Sequence, residues 1–246
     1  MESVKKYYEQ IGWTRQKGKY VDTIMFSSGK GEKYKKRCND RLRNAVGSPD
    51  LLLDIGCGAM PFASNAKRQL CVDFCRTALY EAKKNMPAGI FVLADITCLP
   101  FKNNSVDDTV SLHTVYHIHK NKQQTAIEEI ARVTKHKCYI VYNAGKHAVA
   151  VNLLTLPLQL WNWSEKRINP NSKRKLYFYA HSYKWLEQFG RIETYRFFNE
   201  NGIKLYNHLL WLVSKIETHF PKHSYHPLLV IDKKVNHFNY SYLGQR

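Results

Sequence analysis

The chain is expected to fold as an α/β domain on a doubly wound, mostly parallel sheet. Three observations predict this. Short apolar runs alternate with amphipathic segments between residues 51 and 142, an alternation that implies right-handed crossovers and parallel strands. Three successive runs reach Asp54, Asp73 and Asp95, so each brings an acid to the same edge of the expected sheet. Finally, Leu51-Leu52-Leu53-Asp54-Ile55-Gly56-Cys57-Gly58 places an apolar strand directly before two glycines. That turn lets backbone come close to a ligand at the strand's carboxyl end.

Taken in order, residues 1–49 precede the first strand. Tyr7, Tyr8 and Trp13 are aromatics near a terminus and need either a packing partner or a ligand. Glu32 to Val46 reads as a basic helix, with Lys33, Lys35, Lys36 and Arg37 expected on a solvated face. Leu51 to Ile55 is apolar on both faces, as a buried parallel strand must be. A helix is expected to begin near Pro61, whose fixed φ suits a first helical position. Gln69 to Val72 is the second strand, Arg76 to Met86 a helix, and Ile90 to Ala94 the third strand. Asp108 to Leu112 and Cys138 to Tyr142 are strands flanking a helix over Gln123 to Thr134.

Ala148 to Trp163 is strongly apolar and is followed by Lys166, Arg167, Lys173, Arg174 and Lys175. It is too short and interrupted to span a bilayer. Three readings stay open: a lid or pocket wall, plain core, or a helix resting on a membrane interface. Beyond it, Arg191 to Phe198 reads as a strand, a helix is expected near Lys204 to Phe220, and 227–232 as a last strand. The tail after Lys234 is expected to be loosely ordered.

The 246 residues carry a formal charge of +18. Such a balance suits a polyanionic partner, RNA or a membrane surface, or else reflects basic residues spread over solvated faces. Six cysteines are scattered without a CxxC pair, so neither a metal site nor a disulfide framework is expected. They read as reduced thiols in a cytoplasmic protein, with Cys57 a small packing residue. The first ten residues lack the apolar core of a secretion signal.

DIGCG at 54–58, VDF at 72–74, ADITCLPF at 94–101 and SVDDTVSLHTVYHI at 105–118 resemble the class I S-adenosylmethionine-dependent methyltransferases, in the branch of the ubiquinone and menaquinone methyltransferases. Pro61 at the third position of GxGxxG separates the chain from nicotinamide-binding folds. The resemblance implies a Rossmann-like seven-stranded sheet with a final antiparallel strand and helices on both faces. It also implies an N-terminal cap over residues 1–49, a methyltransferase domain over 50–246, and an insertion at about 146–180. The implied cofactor is S-adenosylmethionine. Asp54, Ile55, Gly56, Cys57 and Gly58 would hold its methionine end, and Asp73 its ribose hydroxyls, with Phe74 beside the adenine. Asp95 and Ile96 would meet the adenine edge, and Ser111, Leu112 and His113 would line the reactive end.

Transfer to a hydroxyl needs a base, and histidine is suited to that near neutral pH. His117 is the first candidate, His113 the second, and Tyr116 lies between them. His113 and His117 are also spaced to share one face of a helical turn. The expected reaction is methyl transfer to an O or N atom of a small or medium-sized acceptor, with a sugar, glycan or lipid-linked molecule as the guess. Two alternatives stand beside it: a tRNA-modifying methyltransferase, and a catalytically inactive, regulatory methyltransferase-like partner. Met60 in place of a third glycine, and Lys135-His136-Lys137 in place of a Pro-Gly-Gly turn, favour the last, while the three strand-end acids argue against it.

Overall fold

The computed structural model describes residues 2–16, 18–21, 29–154, 177–197 and 217–235. One sheet contains β1 (Leu51–Ile55), β2 (Arg68–Asp73), β3 (Ile90–Leu93), β4 (Val106–Leu112), β5 (Thr134–Val141), β6 (Arg191–Arg196) and β7 (His226–Asp232). Their order across the sheet is 3-2-1-4-5-7-6. β1 to β5 are parallel. β7 runs antiparallel to both of its neighbours, with Cys138 opposite Ile231 and Ile192 opposite Leu229. The winding reverses between β1 and β4, which opens a crevice at their carboxyl ends.

Alternation along the strands feeds two cores. Leu53, Ile55, Val72, Cys138 and Ile140 face α4 (Gln123–Val133), which buries Ala126, Ile127, Ile130 and Ala131 against them. Leu52, Val110, Tyr139 and Val141 point to the other face. There α2 (Gly29–Val46) supplies Tyr34, Cys38, Leu42 and Val46, a spacing of four that keeps one stripe on the sheet. Helices therefore cover both faces. α1 (Glu2–Tyr7) precedes α2, and α3 (Arg76–Asn85) follows β2.

One expected element is missing. No helix starts at Pro61; the chain runs irregularly from Gly58 to β2. Side chains satisfy the backbone there instead. The Phe62 N–H donates to Asp54 Oδ2 (2.7 Å), Gln69 Nε2 donates to the Phe62 carbonyl (2.9 Å), and Arg43 Nε donates to the Ala63 carbonyl (2.5 Å). The crossover is thus pinned to β1, β2 and α2 without helical bonds.

Of the apolar stretch at 148–163, α5 (Val149–Leu154) is described. Ala148 and Val151 pack with Ala144 and Phe197, while Val149 and Leu153 are exposed. The rest of that stretch, the basic cluster at 166–175, the helix expected from 204 up to 216 and the tail from 236 lie outside the described residues. The short α6 (Tyr183–Glu187) is capped by Ser182, whose Oγ accepts from the Trp185 N–H. All six cysteines are free, and five are buried.

A buried polar network ties α2 to β6. Glu217 is fully buried, and its carboxylate accepts from Arg41 Nη1 (3.0 Å) and the Tyr34 hydroxyl. Arg41 Nη2 also donates to the carbonyls of Thr194 and Tyr195. Removing one partner of such a pair leaves a desolvated charge behind. Arg41→Ala is therefore expected to cost about 3 kcal/mol in denaturant unfolding, with part recovered when Glu217→Gln is added.

Candidate active site

A cavity of about 400 Å³ lies at the carboxyl ends of β1, β2 and β4. Its volume falls in the range of small-ligand sites. At its base Gly56 and Gly58 adopt positive φ (70° and 57°). Both the Gly56 and Cys57 N–H groups donate to the Val72 carbonyl, which closes the turn.

Three acids gather at this edge. Asp54 is 2 % exposed and Asp73 is 6 % exposed. Asp73 Oδ2 accepts from the Gly58 N–H and Oδ1 from the Cys75 N–H, both at 2.9 Å. Each oxygen keeps a second lone pair for a ligand hydroxyl. Asp95 Oδ1 accepts from the Thr97 N–H and hydroxyl (both 2.8 Å), and no described residue bonds Oδ2. Burial pushes the Asp54 carboxyl up to about 7 and that of Asp73 up to about 6. The Cys57 thiol is pushed far up by its hydrogen bond with Cys71 and by burial, so it is no nucleophile.

Ile55, Phe74, Ile96, Leu112 and His113 also line the cavity, as do Gly56, Cys57, Gly58, Asp54, Asp73 and Asp95. Ser111 is fully buried and does not line it. Tyr116 belongs to the core beside Ile118 and Tyr142 rather than to the cavity wall. His113 and His117 both face the cavity, on separate features. His113 ends β4 with a positive φ of 60°, and His117 closes a 3-10 turn over Val115–His117.

The two rings differ in their hydrogen bonds. His117 Nδ1 faces the Tyr177 carbonyl at 2.8 Å. A carbonyl only accepts, so Nδ1 carries the proton and Nε2 bears the lone pair. Burial lowers the His117 pKa, opposed by that carbonyl. His113 Nε2 instead meets Arg196 Nη2. Burial first, then Arg196 and His226, hold its pKa well below the ordinary value.

The opposite wall comes from the N-terminal residues. Trp13 covers Gly58, where a Cβ would meet its ring at 2.5 Å, and Tyr8 stacks on Trp13 at 5.3 Å between centroids. Lys35, Asn39 and Arg43 of α2 line the cavity, with Tyr195 of β6. The sequence singled out Trp13 and Tyr8, put Lys35 on a solvated face where the structure turns it to the cavity, and passed over Asn39, Arg43, Thr114 and Tyr195. The stripe at 34, 38, 42 and 46 sets the register that turns 35, 39 and 43 to the cavity. Nothing local marks Tyr195.

The chemistry of this donor set fits S-adenosylmethionine. Ionised Asp54, Asp73 and Asp95 would accept from its hydroxyls and amino groups, Phe74 and Ile96 would offer apolar surface to its adenine, and Leu112 lines the same cavity. Cofactor donors favour the ionised acids. Affinity for S-adenosylhomocysteine is therefore expected to rise severalfold as the pH passes about 6 to about 7, as titration calorimetry would show. The unliganded protein moves the other way. Both acids have raised folded pKa values, so their contribution to stability is lost as the pH rises from about 4 through those values.

Among the described residues no group of three or more His, Cys, Asp or Glu is placed to hold a metal ion. No described helix is long and apolar enough to cross a membrane.

A family profile described as a methyltransferase domain matches residues 53–142. No curated protein sequence matches the chain. Among solved structures, one is a complex of the Haloferax volcanii Trm112 methyltransferase activator with a methyltransferase. It is 16 % identical, with a TM-score of 0.50, over 82 % of this chain and 90 % of that one. The N-methyltransferase NodS from Bradyrhizobium japonicum WM9, in complex with S-adenosyl-L-homocysteine, is 15 % identical with a TM-score of 0.48, over 58 % and 76 %. The PH0226 protein from Pyrococcus horikoshii OT3 is 15 % identical with a TM-score of 0.43. That match covers 49 % of this chain and spans 62 % of the other's length.

Proposed function

We propose that the protein, whose residues 53–142 match a methyltransferase domain profile, is a class I S-adenosylmethionine-dependent methyltransferase that methylates an O or N atom of a small or medium-sized acceptor. The carrying observation is His117. Its Nδ1–H is engaged by the Tyr177 carbonyl, so Nε2 is an acceptor in the same cavity as the strand-end acids.

When bound, S-adenosylmethionine supplies a methyl already activated on sulfur. The chain's own task is placement and proton removal. Asp73 and Asp95 would hold the ribose and adenine ends, and the 54–58 turn the methionine end. His117 Nε2 would take the proton that the acceptor O or N atom gives up on methylation, leaving His117 as an imidazolium. Tyr8 and Trp13 exclude water from above.

The glycan or lipid-linked class is a guess from the sequence. The charge of +18 favours a second reading, an RNA acceptor bound through its phosphates. Transfer of labelled methyl from S-adenosylmethionine into fractionated extract tests both. Label in polar small molecules or lipid supports the first, and label in an RNase-sensitive fraction supports the second. Failure to bind S-adenosylhomocysteine would overturn both and leave the inactive, regulatory reading.

A further inference from the structure

Behind the cavity wall lies a cluster that neither methyl transfer nor cofactor binding has used. Arg196 on β6 and His226 on β7 are almost fully buried (4 % and 6 % exposed). Arg196 Nη2 points at His113 Nε2. The His113 ring sits edge-on to His226 at 4.8 Å, Tyr195 at 5.6 Å and Tyr116 at 6.2 Å. Three rings and the Arg196 guanidinium thus fix the plane of the imidazole, and the His113 backbone is held at positive φ, a conformation that non-glycine residues seldom adopt.

A guanidinium offers only donors. His113 Nε2 must therefore be the acceptor of the Arg196 bond, and the ring's single proton resides on Nδ1. That atom is buried and has no hydrogen-bond partner among the described residues. The charged and titratable groups around the ring are Lys35 from α2, Tyr116 and His117 from the following turn, Tyr195 and Arg196 from β6 and His226 from β7. None is a carboxylate, so none favours a cationic His113. Two histidines share this cavity, yet their partners differ in kind: a carbonyl for His117 and a guanidinium for His113.

We propose that Arg196 is a positioning residue that locks His113 as a neutral ring protonated at Nδ1, so that this wall gains no cation and His117 titrates alone as the base. The inference rests on the methyl-transfer reading for His117, but its structural half does not. A protonated His113 would add positive charge beside a sulfonium and beside the base that must accept a proton, opposing both. Arg196 itself is set back behind the ring and does not line the cavity.

Nitrogen-15 spectra of ring-labelled histidines in the unliganded wild-type protein are the first test. The expected result is a His113 signal of the Nδ1–H tautomer, unchanged from about pH 5.5 to 8. An Nε2–H tautomer or a titrating ring would overturn the proposal. This readout needs no substrate, so it stands apart from failure of the methyl-transfer reading, which absent S-adenosylhomocysteine binding would reveal. Arg196→Met, which frees Nε2 while burial still keeps the ring neutral, should shift the His113 signals from the pure Nδ1–H tautomer to a mixture with Nε2–H. Arg196→Lys, which keeps a charged donor, should retain the Nδ1–H tautomer. An unchanged His113 spectrum in Arg196→Met would refute the role; if that variant does not fold, the wild-type and Arg196→Lys spectra decide.

Discussion

His117→Gln is expected to lower kcat about 100-fold at saturating acceptor, within the range a positioned general base contributes. Glutamine keeps a donor for the Tyr177 carbonyl, so the turn at Val115–His117 survives while the lone pair at Nε2 is lost. The pH dependence gives the sharper result. Burial lowers the His117 pKa from 6.5, so the wild-type rate should rise as the base loses its proton below that value and be level above it. The variant should lose this limb altogether. A full rate in His117→Gln between about pH 6 and 9 would exclude the base role, while binding of S-adenosylhomocysteine should be little changed in either case.

Gly56→Ala should be strongly destabilising for so small a change. The residue has φ of 70°, and an added Cβ would stand 2.1 Å from Thr114 Oγ1 and 2.8 Å from Thr114 Cβ. Left-handed backbone in a non-glycine residue and overpacking together cost about 2–4 kcal/mol. For a chain of this length that is roughly 10 °C in Tm. Thr114 follows His113 and lines the cavity, so relief by moving Thr114 would disturb the wall at the reactive end and weaken cofactor affinity as well. The double variant Gly56→Ala with Thr114→Gly removes the colliding side chain. It should regain the packing part of the loss and none of the backbone part. A single variant as stable as wild type would show that the turn is not held in this conformation.

Much of the site was legible in the chain because it is local. A strand's carboxyl end, its turn and its acid are consecutive residues, so Asp54, Gly56, Gly58, Asp73 and Asp95 declared themselves one strand at a time. The parallel order followed from alternation alone. Pro61 misled because a helix-start preference says nothing about competing bonds, and here Asp54, Gln69 and Arg43 hold the segment as a loop. Ser111 and Leu112 are neighbours on one strand, and alternation sends only Leu112 to the cavity. Tyr116 is absorbed by the core for a similar reason. Arg196, Tyr195 and Lys35 carry no signature, since their place depends on strand order and on helix register across more than a hundred residues.

The order of strands also bears on how the protein is made. β7 is the last strand of the sheet in the sequence, yet it lies between β5 and β6. While the chain emerges from the ribosome, β6 is complete some thirty residues before the strand that will hold it. Until His226–Asp232 arrives, the growing sheet ends at β5, an open edge ready to pair with a stranger. A nascent chain stopped just short of His226 therefore leaves two strands, not one, out of the sheet, and with them the Arg196 and His226 cluster behind His113. The strand ends of β1 to β4 precede this closure; the support behind His113 is finished only once His226–Asp232 has emerged.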